Sequence, residues 1–213
     1  KGTVFKAKLT SFLDRNVNKD SLKNEDEVNQ VLSGLENTNF LLKKIESKSQ
    51  TSNPKPPFRT STLQMAAASA LGFTADRTMQ SAQKLYEGGL ITYLRTDGIS
   101  ISTSPNTGEP FSQENPGPPP IEEIRNFILS NFEDSYLSKE TRIYKSKVQN
   151  SQEAHEAIRP TDISKTPDKV SLHGDEEKLY KLIWNRTVAS QMESSRYERK
   201  TLTISSVEGD YKF

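Results

Sequence analysis

Strand-like patterns at both ends of this chain enclose a helical middle, and that order limits the folds open to it. Residues 3–13 carry Val4, Phe5, Ala7, Leu9 and Phe12 among polar residues, and Phe40 to Ile45 is a second apolar run. At the far end Thr201 to Ile204, Val207 and Tyr211 to Phe213 repeat the signal. β-favouring runs of this kind need neighbours for their backbone groups. The simplest arrangement is a β-rich domain built from residues 1–52 and 196–213. A mainly α-helical domain, residues 53–195, is then inserted between its two parts. The expected class is α+β and multidomain.

The helical signals are local and specific. Asn24 stands three residues before Glu27 and opens a run with Val28, Val31, Leu32 and Leu35 at helical spacing. Ser61 to Gln64 reads as a capping box ahead of Met65, Ala66, Ala67, Ala68, Ala70 and Leu71, with Gly72 as the stop. Thr74 starts a helix to Glu87 with Met79, Ala82, Leu85 and Tyr86 on one face. Ile121, Ile124, Phe127, Ile128 and Phe132 mark another. Asp175 is the expected cap of a long helix to about Met192, with Leu179, Leu182, Ile183, Val188 and Ala189 inward and Trp184 at its edge. Residues 47–57 read as a linker, and Ile143 with Tyr144 as a short strand. Residues 103–120 hold six of the eleven prolines and read as a surface loop. The helices before and after residues 72–74, with a strand following, have the order of a helix-turn-helix element, although an ordinary helical hairpin explains the same pattern.

Composition excludes several chemistries. There is no cysteine, so no disulfide, thiolate metal site or cysteine nucleophile. No apolar run approaches the length of a membrane span, and no membrane partner is expected. The net charge is only +1, a weak electrostatic signal for nucleic acid. Residues 43–59 are locally basic, with Lys43, Lys44, Lys48, Lys55 and Arg59 against Glu46.

The stretch with most chemical content runs from Leu85 to Asp97. Gly88 and Gly89 end a helix, and Leu90 to Leu94 reads as a strand. Alternation places Ile91, Tyr93 and Arg95 on one face. A phenol beside a guanidinium can handle phosphate. Taken alone, the residues favour the plainer reading of a half-buried strand tyrosine with a solvated arginine. Gln83 and Glu87 fit a solvated helix face equally well, and Ser61 fits a simple cap.

Three segments, PFRTSTLQ (57–64), RTMQSAQKLYEGGLITYLRTD (77–97) and SQEAHEAIRPT (151–161), together resemble the bacterial type IA DNA topoisomerases, in order and spacing. Leu94 after the tyrosine and the EAHEAI segment resemble the topoisomerase I branch. Gly98 departs from the serine found in many relatives, and the proline-rich insert is unusual.

The resemblance implies that Tyr93 is a nucleophile toward a single-stranded DNA phosphodiester, held afterwards as a 5′-phosphotyrosine while another strand passes. It implies that Arg95 and His155 serve the same phosphate. Gln83, Glu87, Thr92, Thr96, Asp97, Arg159, Arg59 and Ser61 would line the site. If residues 155–159 were helical, His155 and Arg159 would share a face. A phenol titrates near pH ~10, so nearby cations are needed to favour its anion and the charge on phosphate. The β-rich part would be the family's arch, the partner a Toprim domain of the same longer chain, and Mg²⁺ a cofactor held by that domain, with no metal site in these residues. The setting would be cytoplasmic and nucleoid-associated. A non-enzymatic helix-turn-helix DNA-binding module is the rival reading. A tyrosine recombinase ranks below it, because there the tyrosine follows the histidine and arginine cluster.

Overall fold

The computed structural model describes residues 4–36, 38–106, 116–145 and 156–213. The fold is α+β. The chain forms two compact units, one from residues 1–51 and 196–213 and the other from residues 52–195.

The first unit carries a five-stranded sheet and one helix. In chain order its elements are β1 (Ser11–Phe12), β2 (Arg15–Asn16), α1 (Glu25–Glu36), β3 (Phe40–Ser52), β4 (Ser195–Ser206) and β5 (Tyr211–Lys212), with sheet order β2-β1-β5-β4-β3. The sequence pattern at residues 3–13 yields only the two residues of β1, which pairs antiparallel with β2 and β5. Val4 and Phe5 stay exposed. β3 runs on to Ser52, through residues expected to be linker, because pairing with β4 satisfies its backbone despite the polar composition.

Asn24 caps α1 as expected. Its Oδ1 accepts from Glu27 N at 2.9 Å and its amide donates to Glu27 Oε1 at 3.1 Å. The apolar stripe is less buried than its periodicity suggests, with Val31 buried and Leu32 exposed. Gly34 is required by a close approach, since a Cβ there would collide with the Tyr211 hydroxyl. Tyr211 in turn packs on Phe12 with ring centroids 5.0 Å apart.

The second unit is built around four helices, α2 (Thr60–Leu71), α3 (Ala75–Glu87), α4 (Pro120–Asn131) and α5 (Gly174–Ala189). α5 packs against the other three. Its Leu179, Tyr180, Ile183, Trp184, Thr187 and Val188 are buried. They meet a core that includes Leu63 and Ala67 of α2, Ala82 and Leu85 of α3, and Ile121, Ile124 and Ile128 of α4. Trp184 is therefore a core residue rather than an edge one. Its indole donates to Ile163 O at 3.1 Å and its ring meets Phe127 edge-on.

The caps also differ in detail from the sequence reading. α2 begins two residues earlier, with Arg59 at its N-cap and Arg59 N donating to Thr62 Oγ1 at 3.1 Å, so Ser61 lies inside the helix and exposed. Gly72 closes α2 in the left-handed conformation, φ 69°. Thr74 caps α3 by accepting from Arg77 N at 3.2 Å. The N-cap of α5 is His173, which stays exposed. Asp175, expected there, instead receives the Arg77 guanidinium of α3 at 2.6 Å and 2.7 Å, and Lys84 pairs with Glu176 at 2.6 Å. Ile143 and Tyr144 form no strand, and the Tyr144 hydroxyl lies 3.2 Å from Pro54 O and 3.0 Å from Ser190 O. Within the proline-rich stretch, Asn106 and Gly117 bridge, and residues 107–115 lie outside the described residues.

Candidate active site

The chain leaves α3 through a glycine turn. Gly88 N and Gly89 N bond back to Lys84 O and Tyr86 O, each at 2.9 Å, and Leu90 N bonds to Leu85 O at 2.9 Å. Gly89 carries the positive φ, 67°, whereas Gly88 does not. The expected strand over residues 90–94 does not form. Only Ile91 makes a bridge, to Pro160. β propensity cannot make a strand without a neighbour whose backbone is free along its length.

Threonine hydroxyls hold this segment instead. Thr92 N donates to Arg159 O at 2.9 Å, Thr92 Oγ1 donates to Ala157 O at 2.7 Å, and Arg159 N donates back to Thr92 Oγ1 at 3.0 Å. On the other side Thr60, in the first turn of α2, donates from its hydroxyl to Leu94 O at 2.7 Å, with Thr96 O at 3.0 Å. The same oxygen accepts from Thr96 N at 2.9 Å, and Thr60 N donates to Thr96 O at 3.0 Å. Ile91, Leu94 and Thr96 point inward, while Tyr93, Arg95 and Asp97 are exposed. So Tyr93 and Arg95 are both exposed, whereas Ile91, expected on the same face, is buried.

Tyr93 is 50% exposed, with its ring edge-on to Tyr86 at 5.5 Å between centroids. Beside the loop lies an open cavity of about 460 Å³ lined by Arg59, Thr60, Ser61, Arg95, Thr96 and Asp97. The Nε of Arg59 is buried without a hydrogen-bond partner. Two guanidinium groups thus line one recess, and one of them, Arg95, is two residues from the exposed phenol of Tyr93. Such groups are suited to bidentate contact with phosphate oxygens. Gln83 Nε2 donates to Glu87 Oε1 at 2.8 Å, so these two predicted lining residues pair with each other along α3.

Residues 156–161 form an extended strap rather than a helix, with bridges from Glu156 to Ser100, Ile158 to Phe58 and Pro160 to Ile91. Residues 156–159 are therefore not helical, as the shared helical face would have required. His155 itself lies outside the described residues. Arg159 is buried and grips the Glu156 carboxylate at 2.8 Å and 3.1 Å, with a third bond to Pro160 O at 2.8 Å. The same carboxylate accepts from Ser102 N at 3.0 Å. Burial pushes the Glu123 carboxyl up, against the pull of Arg159. Glu156 and Tyr86 are parts of this arrangement that the sequence reading did not assign, and nothing in it tied the Thr60 hydroxyl to the loop. A hydroxyl whose partners stand 34 and 36 residues away leaves no local signal. Among the described residues, no three of His, Cys, Asp or Glu gather as metal ligands.

The family model described as DNA topoisomerase matches residues 2–213. DNA topoisomerase 1 of Rickettsia felis is 45% identical over 98% of this chain, and that match covers 26% of the relative. DNA topoisomerase 1 of Helicobacter pylori is 37% identical over 97% of this chain and 27% of its own length. The structure of full-length topoisomerase I from Thermotoga maritima superposes with a TM-score of 0.63 at 33% identity, over 86% of this chain and 28% of that one. This chain thus spans about a quarter of the length of these relatives. With a family match along nearly its whole length and a shared fold, the chain belongs to the bacterial type IA DNA topoisomerase I family.

Proposed function

We propose that Tyr93 is the nucleophile of a single-strand DNA cleavage and religation reaction. The Tyr93 oxygen attacks the phosphorus of a backbone phosphodiester. The bond from phosphorus to the 3′ oxygen breaks, the phenol gives up its proton, and the released 3′ oxygen takes one up. The 5′ end stays on the protein as a phosphotyrosine. Attack by the same 3′ hydroxyl reverses the step, so no nucleotide cofactor is consumed. Passage of a second strand while the break is open changes DNA topology, with relaxation of negative supercoils the outcome in a longer enzyme.

The observation that carries this reading is an exposed phenol, Tyr93, two residues before Arg95, which lines an open recess together with Arg59. In that recess a phosphoryl group would meet positive charge where negative charge develops in the transition state. Ser61, Thr96 and Asp97 line the same recess and would contact the strand's phosphates or sugars. Thr92 acts by holding the loop, since its hydroxyl is already engaged on the strap. Gln83 and Glu87 contribute as a bonded pair on the neighbouring helix. His155 joins as a donor to the same phosphate, and Arg159 sustains the strap that carries it. Mg²⁺ belongs to a Toprim domain of the longer polypeptide, which completes the site in the cytoplasm at the nucleoid.

Trapping with an oligonucleotide that, after cleavage, loses the upstream fragment ending in the freed 3′ hydroxyl tests the reading. In a full-length topoisomerase I that carries this chain, a covalent adduct is expected, and Tyr93→Phe is expected to remove it while oligonucleotide affinity changes less than about threefold. A Tyr93→Phe variant that keeps the adduct contradicts the assignment. A chain that binds DNA with no adduct under any condition favours a non-enzymatic module built on α2 and α3.

A further inference from the structure

We propose that Thr60 is the positioning residue for the nucleophile, a role that rests on Tyr93 attacking phosphate. The loop from Tyr93 to Asp97 has no sheet or helix ladder of its own. Its backbone is fixed from two sides by hydroxyls. Thr92, just before the phenol, is fixed to the strap through Ala157 and Arg159. Leu94, just after it, is fixed at its carbonyl by Thr60 Oγ1 at 2.7 Å. Thr60 also holds Thr96 at both its backbone groups, accepting from its N–H at 2.9 Å and donating its own backbone N–H to its carbonyl at 3.0 Å.

The peptides that bracket Arg95 are therefore both tied to one side chain. A threonine hydroxyl has one proton to donate and can also accept, and both capacities are used here. The hydroxyl is mounted on the first turn of α2, a helix whose Leu63 and Ala67 are fully buried in the core. A rigid element thus sets the position of a loop that lacks regular structure. Thr60 touches no reacting atom in this scheme. It fixes where the phenol and the guanidinium stand relative to each other.

Removing the hydroxyl while keeping the β-branched shape, Thr60→Val, frees the Leu94 carbonyl and the Thr96 N–H. A displacement near 1 Å at a reacting group lowers a rate by about a hundredfold. In a full-length topoisomerase I that carries this chain, Thr60→Val is expected to slow single-turnover adduct formation by about 10- to 100-fold, with oligonucleotide Kd changed less than about threefold. Thr60→Ser, which keeps the donor and acceptor, is expected to remain within about threefold of the parent rate.

A Thr60→Val rate equal to the parent's overturns the proposal, as does a loss confined to Kd or a serine variant as slow as the valine one. Amide hydrogen exchange on the unsubstituted protein tests the same point without a variant. The Thr96 N–H is expected to exchange at least about tenfold slower than an open loop amide, and an unprotected Thr96 overturns the proposal. A Tyr93→Phe control separates the two readings. An adduct that persists in it overturns the nucleophile assignment and the Thr60 role together, whereas its loss with an unaffected Thr60→Val overturns the Thr60 role alone.

Discussion

Arg159 shows how a charge written into a functional motif can be committed to architecture. Its guanidinium is buried and holds Glu156 in two bonds, and the same carboxylate receives Ser102 N. Glu156→Gln leaves that guanidinium beside a neutral amide. The expected outcome is a loss of about 2 kcal/mol in stability, read from the urea midpoint at unchanged slope. A midpoint within experimental error of the parent contradicts the structural role. At this scale the sequence told half the story. The alternation that groups Ile91, Tyr93 and Arg95 was legible only in part, since Tyr93 and Arg95 are exposed and Ile91 is buried. The hydroxyls of Thr60 and Thr92 were not, because each reaches across the chain to a carbonyl, and carbonyls carry no residue identity.

Helix ends were readable wherever a short polar side chain met its own helix, as at Asn24 and Thr74. They were misread where a distant partner claimed the candidate cap, as Arg77 claims Asp175. Strand length failed for a related reason. The pairing of β3 with β4 extends β3 through polar residues, and residues 90–94 lack such a neighbour. α5 carries a testable titration. The Tyr180 hydroxyl donates to Lys165 O at 2.6 Å, and burial, with Asp162 acting in the same direction, pushes its pKa up to about 12. Below pH ~10 the phenol is protonated whether folded or unfolded, so its contribution is fully present. Above that value the unfolded phenol ionises first, binds fewer protons than the folded one, and stability falls as pH rises toward 12. The loss approaches about 2.7 kcal/mol for a shift of about two units. Burial pushes Tyr144 up as well, and it adds in the same direction. Urea melts between pH 9 and 12 are expected to show the decline, and Tyr180→Phe to flatten most of it. A decline of equal size in Tyr180→Phe contradicts the assignment.

Across the whole chain, the order of strand, helix and strand signals was enough to indicate an α+β fold. The exposure of β3 and of most of β4 was not readable, because residues with strand propensity do not show whether a second layer covers them. This chain aligns with about a quarter of these two relatives, and among its described residues no three of His, Cys, Asp or Glu gather together. The chain by itself with Mg²⁺ is therefore expected to leave a supercoiled plasmid unrelaxed, and turnover in that assay contradicts the division of labour proposed for it.

The most direct measurement is mass spectrometry of the trapped complex after proteolysis. The account predicts a nucleotide joined through its 5′ phosphate to the peptide containing Tyr93, and to no other tyrosine. Cleaved DNA whose label maps to a different residue, Tyr86 included, contradicts it.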